Sequence, residues 1–219
     1  MKNLIIAGNW KSNMTKSEAR DWLEKFSLES IPEHMEVILF VPYTLLDIIS
    51  GYIKVNGLSI KLGSQNVSRF PKGAHTGEIY ANQIKEFAEY VLIGHSERRA
   101  TFGETDEIVN KKIEAAKNVG LKTIVCVSNL DQLKSIYTDT IVAYEPIEAI
   151  GTGNPELPKD VDDMSLRIKE IKNSKLIYGG SINSDNIKNY AELENVNGLL
   201  IGMDSLNADS FINNIKNAS

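Results

Sequence analysis

The sequence has a single cysteine, Cys126, no long apolar run, no excess of positive charge and none of the common nucleotide fingerprints. One thiol cannot close an internal disulfide, which fits a reducing compartment, and its place at the end of a strand-like run reads as a small buried core residue rather than a nucleophile. The longest apolar stretches, such as Leu4-Ile-Ile-Ala7 and Val37-Ile-Leu-Phe-Val41, are far too short for a membrane span or a signal-peptide core. A cytoplasmic protein with no membrane partner is expected. The formal net charge of -5 offers no general attraction for nucleic acid or an anionic membrane, so an anionic ligand must be held by local groups. No GxxxxGKS/T motif occurs and no GxGxxG follows the first apolar run, which removes support for nucleotide or dinucleotide binding. No His, Cys, Asp or Glu spacing matches a zinc or iron site, so no metal is expected.

What is present is an alternation. Short β-rich apolar runs recur at Leu4 to Ala7, Val37 to Val41, Leu58 to Leu62, Val91 to Ile93, Thr123 to Val127, Ile141 to Tyr144, Leu176 to Tyr178 and Leu199 to Ile201. Helix-like stretches lie between them. Thr15-x-x-Glu18 forms a capping-box pattern before Ala19, Trp22, Leu23 and Phe26, which share one helical face. Thr105 begins a second such stretch, with Ile108, Ile113 and Ala116 expected inward and Gly120 as its left-handed stop. Strand-helix alternation implies a parallel sheet covered on both faces, which an open doubly wound sheet also satisfies. Eight units in 219 residues favour a closed (β/α)8 barrel of eight parallel strands, and no low-complexity or linker tract divides residues 1–219 into more than one domain.

Polar residues gather where the apolar runs end: Asn9 and Lys11 after the first, His95 after the fourth, Glu145 after the sixth, Gly179-Gly-Ser181 after the seventh and Gly202 after the eighth. In a barrel all of these converge on the C-terminal mouth, where active sites sit. Glu145 is the candidate base, because a carboxylate at a strand end beside the glycine-bearing loop Ile150-Gly-Thr-Gly153 can be shielded from water when that loop closes. His95, with Ser96 expected to cap the following helix, is a candidate neutral donor to a carbonyl oxygen. The other two histidines, His34 and His75, lack such a setting and read as surface or interface residues. Lys11 can hold an anion and stabilise developing negative charge. Glu97, Arg98 and Arg99 fit an ion-pair network as well as a catalytic role, and Glu97 can also orient Lys11. Gly151, Gly153, Ser181 and Gly202 can form a cradle of backbone N–H groups for one phosphate.

In chain order, Gly8-Asn-Trp-Lys11, Gly73-Ala-His-Thr-Gly-Glu78, Ile93-Gly-His-Ser-Glu-Arg-Arg99, Ala143-Tyr-Glu-Pro146, Ile150-Gly-Thr-Gly153 and Tyr178-Gly-Gly-Ser181 resemble the triosephosphate isomerase family along essentially the whole chain. The resemblance implies interconversion of dihydroxyacetone phosphate and D-glyceraldehyde 3-phosphate through an enediolate, a step of glycolysis and gluconeogenesis that needs no cofactor. It assigns Glu145 as the base, His95 as the electrophile, and Lys11, assisted by Asn9, as the charge that stabilises the enediolate and helps bind phosphate. Gly151, Ser181, Gly202 and Met203 would hold the phosphate through backbone N–H groups, with Pro146 to Gly153 as the lid. Glu97 would position Lys11. Thr76 would lie at an interface, in a loop inserted beside a neighbour's Lys11 in a homodimer or homotetramer. The chain departs from the common family pattern at Glu148, Asn154 and Met203, where tryptophan, lysine and glycine are usual. It departs again at Ser128-Asn129, after which a short segment implies a stunted fifth helix. Two other functions compete with this one, a different sugar-phosphate barrel enzyme and a phosphate-binding protein without turnover; the ordered Lys11, His95 and Glu145 argue against both.

Overall fold

A computed structural model describes residues 2–219, so Met1 of the expected domain lies outside the described residues. All eight apolar runs form strands: β1 Leu4–Asn9, β2 Met35–Val41, β3 Ile60–Ser64, β4 Tyr90–Ile93, β5 Lys122–Val127, β6 Ile141–Tyr144, β7 Leu176–Tyr178 and β8 Gly198–Ile201. Each pairs in parallel with the next, and β8 returns to β1 in the register Ile5↔Gly198 to Gly8↔Ile201. The result is the expected closed (β/α)8 barrel. Around it run α1 Lys16–Phe26, α2 Leu46–Asn56, α3 Ala81–Lys85, α4 Ser96–Phe102, α5 Asp106–Lys117, α6 Leu130–Ser135, α7 Pro158–Ile171, α8 Ile187–Ala191 and α9 Ala208–Asn217. No helix among the described residues is long and apolar enough to cross a membrane.

Strand residues alternate between two cores because successive side chains point to opposite faces of the sheet. Leu4, Ile6, Val37 and Leu39 face the helices, while Ile5, Ala7, Ile38, Phe40 and the buried Cys126 fill the barrel interior. Size sets the seams: a Cβ on Gly63 would lie 2.4 Å from the Phe40 ring, and one on Gly198 would lie 2.4 Å from the Ile5 carbonyl, where β8 closes on β1.

The capping box forms as the spacing implies, with the Thr15 N–H donating to Glu18 Oε2 at 2.7 Å and the Glu18 N–H donating to Thr15 Oγ1 at 3.5 Å. Trp22 on the buried face stacks on Phe26 with ring centroids 4.9 Å apart and meets Trp10 edge-on at 5.2 Å. Both indole N–H groups donate to the Ser205 carbonyl at 3.1 Å, which ties the end of β1 to the turn after β8. That link brings the Lys11 and Gly202 loops side by side.

Two local expectations need correction. The third strand begins at Ile60 rather than Leu58, because Gly57 adopts φ 64° and both it and Leu58 donate N–H groups to the Ile53 carbonyl. Leu58 therefore closes α2 instead of opening β3. In α5, Thr105 caps as expected, but the buried face carries Val109, Lys112, Ile113 and Ala116, with Ile108 only half-buried. Ile113 and Ala116 face inward as expected, Val109 takes the place expected of Ile108, and Lys112 also turns inward to meet buried Glu104.

Candidate active site

The site starts from the end of β1. Asn9 is buried, and its Oδ1 accepts from the Lys11 N–H at 3.1 Å. Lys11 has φ 53°, in the left-handed region that costs a residue with a Cβ roughly 1–2 kcal/mol. Gln65 holds this turn: its amide Nε2 donates to the Lys11 carbonyl at 2.9 Å and to the Phe40 carbonyl at 3.0 Å. Sequence reasoning passed over Gln65, whose partners Lys11 and Phe40 lie far from it in the chain. The Lys11 ammonium is directed by Glu97, with Nζ 2.5 Å from Oε1, so Glu97 pairs with Lys11 as expected.

At the end of β4, the expected cap is corrected. His95, not Ser96, caps α4, because the imidazole Nδ1 accepts the Glu97 N–H at 3.3 Å. Ser96 is the first helical residue and its buried hydroxyl has no partner. An N–H aimed at Nδ1 requires a lone pair there, so in the neutral ring the hydrogen sits on Nε2. That nitrogen lies 3.2 Å from Glu145 Oε1. Glu145, 2% exposed at the end of β6, receives the Ser96 N–H on its other oxygen at 3.3 Å. Gly179 lets β7 approach it, since a Cβ there would be 3.2 Å from Glu145 Cγ. From the barrel interior, burial first and the Glu145 charge second push the Cys126 thiol up, which keeps it protonated and unsuited to attack.

Across the mouth the groups are backbone. Gly151 and Gly153 take φ 68° and 77° and are exposed. Ser181 donates its hydroxyl to the Ala149 carbonyl at 2.5 Å and accepts the Gly153 N–H at 3.1 Å, fastening the loop after β6 to the loop after β7. After β8, Gly202 accepts from the Ser205 N–H at 2.9 Å, starting the tight turn Met203–Leu206, and the Met203 side chain is 67% exposed. One cleft of about 220 Å³ is lined by Asn9, Lys11, His95, Glu145, Gly151, Ser181, Gly202 and Met203, so every residue expected to touch a ligand faces the same space. Glu97 stands outside that cleft, behind Lys11, and Thr76 is exposed on the loop after β3.

An imidazole with Nε2 turned toward a buried carboxylate and an ammonium therefore meet beside a row of glycines. The sequence matches the family model described as triosephosphate isomerase over residues 4–218. It is 39% identical to triosephosphate isomerase of Dehalococcoides mccartyi (strain CBDB1), with 100% of this chain and 98% of the relative covered. It is 38% identical to that of Nostoc sp. (96% and 97% covered) and 35% identical to that of Aquifex aeolicus (94% and 96% covered). The chain belongs to the triosephosphate isomerase family.

In this triosephosphate isomerase family member, the question left open for the arginines is answered by their partners. Arg98 pairs with Glu104, which also holds Lys112, and Lys112 reaches Asn66 Oδ1 at 2.6 Å. Burial, opposed by Glu104, pushes the Lys112 ammonium below its ordinary value. Arg99 donates to the Gly94 carbonyl at 2.9 Å and to Asp106 Oδ1 at 2.7 Å. Both arginines thus brace α4 and α5 under His95. Among the described residues no group of three or more His, Cys, Asp or Glu side chains is placed to hold a metal ion.

Proposed function

We infer that the chain interconverts dihydroxyacetone phosphate and D-glyceraldehyde 3-phosphate by proton transfer through an enediolate. The observation that carries this is the pairing of His95 Nε2 with Glu145 Oε1 at 3.2 Å, both buried at the mouth of one cleft. A substrate carbonyl oxygen entering that space takes the Nε2–H, which polarises it and acidifies the neighbouring C–H. Glu145 then leaves the Ser96 N–H, removes the carbon-bound proton and returns it to the adjacent carbon. Lys11, positioned by Glu97 and Asn9, stabilises the negative charge on the enediolate oxygens and helps bind phosphate. The N–H groups of Gly151, Ser181, Gly202 and Met203 hold the phosphate dianion, and the segment from Pro146 to Gly153 closes to exclude water. This chemistry uses side chains and backbone dipoles and calls on no cofactor.

Residues 1–219 act as one barrel domain in the cytoplasm, and the active form is a homodimer or homotetramer in which the exposed loop around Thr76 packs beside the partner's Lys11 site. What supports self-association is that Lys11 and Glu97 border an open groove with the exposed Phe102. A coupled assay with D-glyceraldehyde 3-phosphate tests the reaction, with Glu145→Gln purified in parallel to reveal contaminating isomerase. Turnover present in the parent and lost in the variant is the expected result; equal turnover in both removes Glu145 as the base. Light scattering at micromolar concentration that finds a fully active monomer overturns the self-association.

A further inference from the structure

The segment that leaves the lid toward α7 is held at one residue. Glu156 is engaged at three atoms by three buried tyrosines from three different elements. Its N–H donates to Tyr178 Oη at 3.0 Å, its carbonyl accepts from the Tyr190 hydroxyl at 2.5 Å, and its Oε1 accepts from the Tyr144 hydroxyl at 3.1 Å. The rings support one another, with Tyr178 stacked on Tyr190 at 4.9 Å and Tyr144 tilted against Tyr178 at 6.2 Å. Gly180 leaves the Tyr178 hydroxyl its space, since a Cβ there would sit 2.2 Å from Oη.

The placement of these tyrosines is what matters. Tyr144 directly precedes Glu145 at the end of β6, and Tyr178 directly precedes Gly179-Gly-Ser181. The backbone contacts of Glu156 can be made by any residue, whereas the contact with Tyr144 needs an acceptor on the side chain. Burial, which pushes the Glu156 carboxyl up, is opposed by the Tyr144 hydroxyl and reinforced by Asp160 and Glu148; Arg167 also acts on Tyr144. A half-buried carboxylate in that setting is favoured chiefly by the hydroxyl it accepts from.

We propose that Glu156 is a positioning residue that keeps the lid shut during the enediolate's lifetime, its carboxylate coupling the lid's C-terminal end to the strand that carries the base through Tyr144. This rests on Glu145 being the base and Pro146 to Gly153 being the lid. The readout is a side reaction. In an enediolate exposed by early opening, the electron pair expels phosphate from the adjacent carbon: the C–O bond breaks, phosphate leaves with the bonding pair, and the remaining enol tautomerises to methylglyoxal.

The experiment measures kcat, KM and inorganic phosphate released per isomerisation turnover in the parent, Tyr144→Phe, Glu156→Ala, Glu156→Gln and the Tyr144→Phe/Glu156→Ala double variant. Loss of a hydrogen bond to a charged group is expected to raise phosphate release per turnover about tenfold in Tyr144→Phe and in Glu156→Ala, with kcat lowered more than KM is changed. The double variant is expected to go no further than either single one, because both remove the same contact. Glu156→Gln keeps an acceptor oxygen and is expected to stay within about twofold of the parent ratio. Unchanged ratios in the folded Tyr144→Phe and Glu156→Ala variants, or multiplied effects in the double variant, overturn the role of Glu156. A parent without isomerase turnover overturns both this role and the functional reading beneath it.

Discussion

His95 and Glu145, 6% and 2% exposed, sit at the ends of strands on one side of the barrel mouth, while Gly151, Gly153 and Met203 across from them are exposed on loops. The first side is built from side chains and locked from below: Gln65 clamps the Lys11 turn, and the Glu104, Lys112 and Arg98 cluster braces α4. The second is built from backbone, and Ser181 fastens it to the loop after β7 through Ala149 and Gly153. The difference suits the two tasks proposed for these sides. Proton transfer needs fixed distances and little water, whereas an anion held by N–H groups must be reached by a segment that opens.

The sharpest way to break this comparison is Glu145→Gln, which keeps shape but cannot accept a proton. A loss of about a thousandfold in kcat with an unchanged circular dichroism spectrum is expected, within the range general base catalysis supplies. Lys112→Met attacks the support instead of the chemistry. It leaves buried Glu104 with Arg98 as its remaining charged partner, and denaturant unfolding is expected to show a loss of about 2 kcal/mol. On the loop side, a Cβ on Gly153 meets nothing within 4 Å, but φ 77° makes it strained. Gly153→Ala is expected to cost the ordered loop roughly 1–2 kcal/mol, read as about a tenfold drop in kcat/KM with little change in Tm.

Acidity gives a finer probe at the lid's end. The Glu156 carboxyl is raised above its ordinary 4.5 by burial, so the folded protein binds that proton more readily than the unfolded chain. Its contribution to stability is full below 4.5 and is lost as pH rises through the raised value. Relative to Glu156→Gln, the parent's Tm is therefore expected to fall between pH 4 and pH 7; a constant difference contradicts the raised value. The smallest effect belongs to Met203→Gly. Its side chain is 67% exposed, and a stability change within about 0.5 kcal/mol is expected from urea titration.

Features carried by short spacing were legible in the sequence. Thr15 and Glu18 stand three apart and form their box, and polar residues follow apolar runs wherever a strand meets the mouth. Errors arose where side-chain pairing departed from the apolar pattern or from the usual cap preference. Val109 rather than Ile108 is buried on the face where Lys112 pairs with Glu104, and the His95 imidazole rather than the Ser96 hydroxyl accepts the Glu97 N–H. Gln65 and Glu156 were missed because their partners, Phe40 and Lys11 in one case and three tyrosines in the other, share no short spacing with them.

By itself the sequence determined the eight strand-helix units, their parallel order and the set of residues that end at one mouth, because hydrophobic period and turn chemistry are local properties. Only the tertiary structure decided which histidine nitrogen faces Glu145, how deeply that carboxylate is buried and which three tyrosines meet at Glu156. Those depend on barrel closure, which brings residues from separate units to within hydrogen-bonding distance and fixes them by packing rather than by spacing.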